Sequence, residues 1–163
     1  MIAVSEFIKS ENIVCKSSAS SKKRTLEALS ELLAYGEPGL DQEEVFESLC
    51  ERERLGSTGL GHGVAIPHGR IQGLDKAIGA FMQLETAVDF DAIDGEPVDL
   101  ICALLVPEKS TDEHLNLLAL LAEMFSDIET CKSLRSATAP HQIFETLVSL
   151  KQKESQLAVG PAA

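Results

Sequence analysis

Apolar residues recur along this chain with two different periods, and the alternation between them sketches the fold. Leucines at 26, 29 and 33, with Leu32 beside them, share one helical face. Ser20 and Ser21 precede that run as caps, and Gly36, Pro38 and Gly39 stop it. A second helix opens at Asp41, with Glu44 as its capping-box partner. Val45, Phe46, Leu49 and Cys50 form its buried stripe, and Glu51 to Arg54 its charged end. Ahead of both, the clusters Val4–Ile8 and Ile13–Val14 predict a short helix and a short strand.

Later segments read mainly as strands and then helices. Ala77–Leu84 alternates as a strand does, Ala87–Phe90 extends the sheet after a turn, and Asp94-Gly95 marks another turn. Asp99 to Val106 is almost continuously apolar and stops at Pro107, the pattern of a central strand buried on both faces. Thr111 or Asp112 caps a third long helix with Leu115, Leu118, Leu121, Ala122 and Phe125 inward. Ile128–Arg135 and Pro140–Leu150 predict two more helices, the second with proline at its first position. The interleaving predicts an α/β fold: a single domain, residues 1–151, with a central mixed β-sheet flanked by helices on both faces. Residues 152–163 carry little pattern and are expected to be a flexible tail.

Composition narrows the choice of partners. With no Trp and one Tyr, the core must be aliphatic, and stacking platforms for bases are not expected. A net charge of −12 disfavours nucleic acid and anionic lipid. Cysteines 15, 50, 102 and 131 form no C-x-x-C pair, and Cys102 lies in an apolar run as a buried thiol. The N-terminal residues lack a signal-peptide core, and no run approaches the roughly 20 apolar residues of a membrane span. These readings predict a cytoplasmic protein without membrane insertion.

Residues 56–69 are different in kind. Five glycines and one proline in fourteen residues exclude a regular helix, and only Val64–Ile66 reads as a strand, running into Pro67. Of the four histidines, His141 follows Pro140 at a helix start and has no evident role. His62 and His68 are six apart, which does not specify a metal site; no metal and no cofactor is expected. His68 follows a strand and a proline and precedes Gly69, so little side-chain bulk shields it, and backbone N–H groups there could face an anion. Arg70 could add positive charge. Imidazole with a pKa near 6.5 is a neutral nucleophile at cell pH, and phosphoryl transfer to it needs donors already in place. His114 at a helix start, Arg52 and Arg54 are candidates for that work. On spacing alone a structural turn histidine and solvated arginines are the commoner readings.

The stretch from Glu53 to Gly69 resembles the active-site signature of the fructose/mannitol-type enzyme IIA proteins of the bacterial phosphoenolpyruvate-dependent phosphotransferase system. Glu53, then Leu60-Gly61, then Val64-Ala65-Ile66-Pro67-His68-Gly69 fall in register. Arg52, sixteen residues before His68, and His114, forty-six after it, match the family's active-site arginine and second histidine. The similarity runs from about Val4 to Leu150. Gly56-Ser57-Thr58-Gly59, Phe90 to Asp94, Pro97-Val98-Asp99 and Leu104 to Pro107 resemble the nitrogen-related branch in particular. His62 departs from the family pattern, where a small polar residue is expected.

The resemblance implies that His68 accepts a phosphoryl group at Nε2 from an HPr-like phosphocarrier (NPr), which is itself charged by a dedicated enzyme I. It implies His114 and Arg52 as the assisting groups, with Arg54, Arg70 and Gly69 in support. It implies a relay component rather than a free-standing metabolic enzyme, whose phosphorylation state regulates potassium-transport, nitrogen or carbon regulatory proteins. A sugar-specific enzyme IIA that feeds a permease and a contact-only regulatory module are the alternatives.

Overall fold

A computed structural model describes the backbone of residues 3–158 and the side chains of 3–149. The chain order is α1 (Val4–Phe7), a 3-10 turn (Ser10–Asn12), β1 (Ile13–Ser17), α2 (Lys22–Ala34), α3 (Gln42–Leu55), β2 (Gly59–Gly61), β3 (Val64–Ala65), β4 (His68–Ile71), β5 (Ile78–Val88), β6 (Val98–Pro107), α4 (Thr111–Phe125), α5 (Ile128–Ser136) and α6 (Pro140–Ala158). One mixed sheet holds all six strands in the order β1-β5-β6-β3-β2, with β4 also on β6. β5 runs antiparallel to β6, and β3 and β4 run parallel to it.

The apolar run expected to be central is central. Every residue from Leu100 to Val106 is buried. Leu100, Cys102, Leu104 and Val106 join the cluster that contains Leu117, Leu121, Leu134 and Ile143, from α4, α5 and α6. Ile101, Ala103 and Leu105 join Leu26, Leu29, Leu33, Val45 and Leu49, from α2 and α3. Successive side chains of a strand point to opposite faces, so one seven-residue apolar run, Leu100–Val106, supplies two cores. Helices therefore cover both faces, as the interleaved pattern predicts.

Several local expectations are corrected. Pro67 does not end the pairing: β3 and β4 lie on the same edge of β6, and only Ile66–Pro67 interrupts them. The Pro67 carbonyl still accepts from Leu104 N–H at 2.9 Å, so proline removes only a donor the edge can do without. The glycines of 59–61 form β2 rather than loop, and β5 is one strand reaching Val88. Ser21 caps α2, accepting from Arg24 N–H at 3.1 Å; Asp41 stands at the N-cap of α3, but its side chain accepts no capping bond. Ser110, not Thr111 or Asp112, is the N-cap residue of α4. The inner face of α4 carries His114, Leu117, Leu121, Met124 and Phe125, while Leu115 is 61% exposed. The last helix runs to Ala158, through much of the stretch read as a tail, and 159–163 lie outside the described residues.

Candidate active site

Three elements converge on His68. β4 carries it along the edge of β6, opposite Leu104. The last turn of α3 brings Arg52 and Leu55, and the first turn of α4 brings His114. Together with Ser48, Gly69, Arg70 and Thr111 these side chains line an open cleft of about 610 Å³. Gly69 is required by space: a Cβ there would fall 2.2 Å from Ser48 Oγ, so only glycine lets α3 close down on β4. Ser48 Oγ donates to the Arg70 carbonyl at 3.0 Å and holds that contact.

The tautomer of His68 is fixed. Its Nδ1 lies 2.8 Å from the Ile66 carbonyl oxygen, which can only accept, so Nδ1 carries the proton and Nε2 keeps its lone pair. Burial holds the imidazole below its ordinary pKa; the Ile66 bond opposes that shift, Arg52 adds to it and Glu53 opposes it. The ring is therefore neutral and nucleophilic at neutral pH.

His114 packs edge-on against it, with centroids 5.1 Å apart and planes at 73°. Its Nε2 is buried without a hydrogen-bond partner among the described residues. Burial first, then the neighbouring His68, Arg70 and Arg52, press its pKa down to about 4. A buried polar atom left unpaired is unfavourable by about 1–3 kcal/mol, which a ligand oxygen placed there would relieve.

The cations are free to act. Arg52 Nη1 donates to the Gly56 carbonyl at 2.9 Å, and Arg70 Nη1 reaches Thr111 Oγ1 at 3.5 Å; neither pairs with a carboxylate among the described residues. Two neutral imidazoles and two uncommitted guanidiniums in one cleft suit a dianion. Of the residues singled out by sequence, His68, His114, Arg52, Arg70 and Gly69 come together. Arg54 is exposed on another face of α3 and does not line the cleft. His62 stands in the turn between β2 and β3, exposed, also outside it.

Sequence reasoning overlooked Ser48, the exposed Leu55 and Leu115 at the rim, and the use made of Glu53. Glu53 is buried at the end of α3, accepts from both Thr58 N–H and Thr58 Oγ1, and takes Lys22 Nζ at 3.0 Å. Its place at the head of the signature was the available signal.

Known proteins resemble this chain over most of its length. Residues 6–149 match the family described as phosphoenolpyruvate-dependent sugar phosphotransferase system, EIIA 2. The nitrogen regulatory protein of Klebsiella oxytoca is 48% identical over 128 residues, 78% of either chain. The crystal structure of nitrogen regulatory protein IIA-Ntr from Neisseria meningitidis superposes with a TM-score of 0.84 at 44% identity, covering 88% of this chain and 98% of that one. IIA mannitol from Escherichia coli gives 0.71 at 25% identity, covering 85% and 97%. The chain belongs to the EIIA 2 family of the phosphoenolpyruvate-dependent sugar phosphotransferase system.

Proposed function

We propose that this chain is a phosphoryl carrier of the nitrogen-related branch, accepting phosphate on His68 Nε2 from a phosphorylated HPr-like protein (NPr). Its phosphorylation state then regulates partner proteins, of the potassium-transport, nitrogen or carbon regulatory kind. The observation that carries the reading is the His68 ring: its Nδ1 proton is engaged by Ile66, which leaves Nε2 as the nucleophile in a cleft with unpaired cations.

In the transfer, the Nε2 lone pair forms the new N–P bond while the donor's N–P pair returns to the donor nitrogen. The proton stays on Nδ1, hydrogen-bonded to the Ile66 carbonyl, so the phosphorylated ring carries one positive charge beside the phosphoryl oxygens. Arg52 and Arg70 balance the charge on those oxygens, and His114 Nε2 stands ready to meet one of them. Positioning supplies most of the acceleration. Leu55 and Leu115, 85% and 61% exposed, offer the donor an apolar rim on an otherwise acidic protein. The reading places the protein in the cytoplasm, where its four free cysteines are stable. No helix among the described residues is long and apolar enough to cross a membrane.

Incubation with phosphoenolpyruvate, enzyme I and NPr should label the protein. His68→Ala should remain folded and lose the label; undiminished labelling would refute the site. The sugar-specific alternative is weakened by the lower identity to IIA mannitol than to the nitrogen regulatory proteins. It predicts onward transfer to a sugar permease, whereas the proposed reading predicts none. Capture of target proteins by the phosphorylated form and by His68→Ala, side by side, tests the regulatory half: partners that ignore the phosphorylation state would leave only a contact module.

A further inference from the structure

We infer that Glu53 is a positioning residue for His68, acting through Thr58 and Ile66 to keep the Ile66 carbonyl available to the nucleophile's Nδ1–H. The inference rests on the proposed role of His68.

Four links are laid end to end. Glu53 accepts from Thr58 N–H at 3.3 Å and from the Thr58 hydroxyl. The Thr58 carbonyl accepts from Ile66 N–H at 3.0 Å. The Ile66 carbonyl faces His68 Nδ1 at 2.8 Å. Lys22 Nζ, 3.0 Å from Glu53 Oε2, pairs with the buried carboxylate at the head of the chain of links.

The geometry of the hairpin gives Glu53 a specific task. β2 and β3 pair antiparallel with Gly59 opposite Ala65, which sets Thr58 opposite Ile66. Residues facing each other in the close-bonded register exchange two hydrogen bonds, each N–H going to the other's carbonyl. Here only one of the two is made, from Ile66 N–H to Thr58. Glu53 has taken the Thr58 N–H, the natural competitor for the Ile66 carbonyl. That carbonyl is thereby left for His68. The carboxylate does not touch the reacting atoms; it removes a rival donor and pins the loop that carries it.

The test reads the ring directly. In the full-length wild type, ¹⁵N shifts of His68 should show a single neutral tautomer, protonated at Nδ1. In Glu53→Ala the freed Thr58 N–H competes for Ile66, and the shifts should move toward a mixture of tautomers. Labelling by phosphorylated NPr should then slow roughly tenfold, in the rate at saturating donor rather than in the donor concentration needed. Glu53→Gln, whose side-chain oxygen still accepts from Thr58, should restore both. If Glu53→Ala fails to fold, Thr58→Val loses only the hydroxyl link and should give a smaller tautomer shift of the same sign. Wild-type His68 shifts and labelling rate in a folded Glu53→Ala protein would overturn the inference, as would unchanged shifts in Thr58→Val. The tautomer measurement needs no phosphate, so failure of wild-type labelling would count against the carrier role and leave this inference standing.

Discussion

Near His62 and near His68 the chain assembles similar materials, an arginine, a histidine and a glycine-bounded turn, yet spends them differently. At the first place Arg135 grips both oxygens of Asp99 from Nε at 3.1 and 2.9 Å, and its Nη2 donates to the His62 carbonyl at 2.7 Å. His62 N–H donates to Asp94, which also takes Glu96 N–H and is held below its usual carboxylate pKa by those two bonds. Gly63 has φ +79°, and a Cβ there would lie 2.5 Å from Arg135 Nη2, so the turn is molded around the guanidinium. There the Arg135 Nε and Nη2 and the His62 N–H have each met an acceptor. In the cleft, by contrast, Arg52 and Arg70 have no carboxylate and His114 Nε2 has no partner among the described residues. A saturated cluster ties α5 to the sheet; an unsaturated one waits for an anion. Residue type does not separate the two, but hydrogen-bond bookkeeping does.

The comparison can be broken at either end. Arg52→Ala should slow phosphoryl acceptance by about a hundredfold, the loss typical of one charge-stabilising donor, with the melting temperature little changed; an unaltered labelling rate would remove Arg52 from the site. Asp99→Ala should do the reverse. It frees Arg135, whose pKa the Asp99 contacts raise, and should lower stability by about 2 kcal/mol in urea melts while labelling proceeds normally. A Asp99→Ala protein that folds as well as wild type but accepts phosphate poorly would invert the assignment of the two clusters.

Acidity offers a gentler probe. In the unfolded chain a histidine binds its proton near pH 6.5, whereas His114 in the folded protein resists until about 4. Between those values the unfolded state holds more protons, so stability falls as pH drops through this window and is fully present above it. His68, shifted the same way, adds to the slope. Thermal melts from pH 7 to pH 4.5 should therefore fall less steeply for His114→Gln than for wild type; parallel curves would mean that His114 is not held neutral by burial. The smallest effect is expected at His62, whose φ of +55° is unfavourable for a side chain. His62→Gly should raise stability by about 0.5 kcal/mol without touching labelling, because its bonds are made by the backbone. A labelling defect there would assign the departure from the family pattern a role.

How much of this could be read beforehand depended on the range of the interaction. The β6 run, the cap at Ser21 and the start of α3 after Asp41 are local patterns, and each stands where its residues indicate. The face of α4 is not local in this sense. Leu115, Leu117, Leu118, Leu120 and Leu121 surround that helix, so its period leaves the inner side undetermined; packing turned His114 inward and left Leu115 at the rim. β4 was invisible because His68-Gly69-Arg70-Ile71 has no strand signal of its own and pairs only because β6 is beside it. The link from Glu53 to Ile66 needed the hairpin closed before any donor could be counted. The resemblance supplied Arg52 and His114; the cleft separates both from Arg54, which stands only two residues from Arg52 on another side of the helix.

β4 is joined to β6 at His68, Gly69, Arg70 and Ile71, and the strand behind it is closed in on both sides. His68 is thus anchored to the sheet through its own backbone. It also sits in a recess, 8% exposed. If His68 accepts phosphate as proposed, the donor has to present its phosphoryl group on a protrusion, and two copies of this chain set mouth to mouth would hold their imidazoles apart. On the proposed reading, exchange between two identical copies is disfavoured by shape, and a phosphorylated copy needs a partner that can reach into the recess.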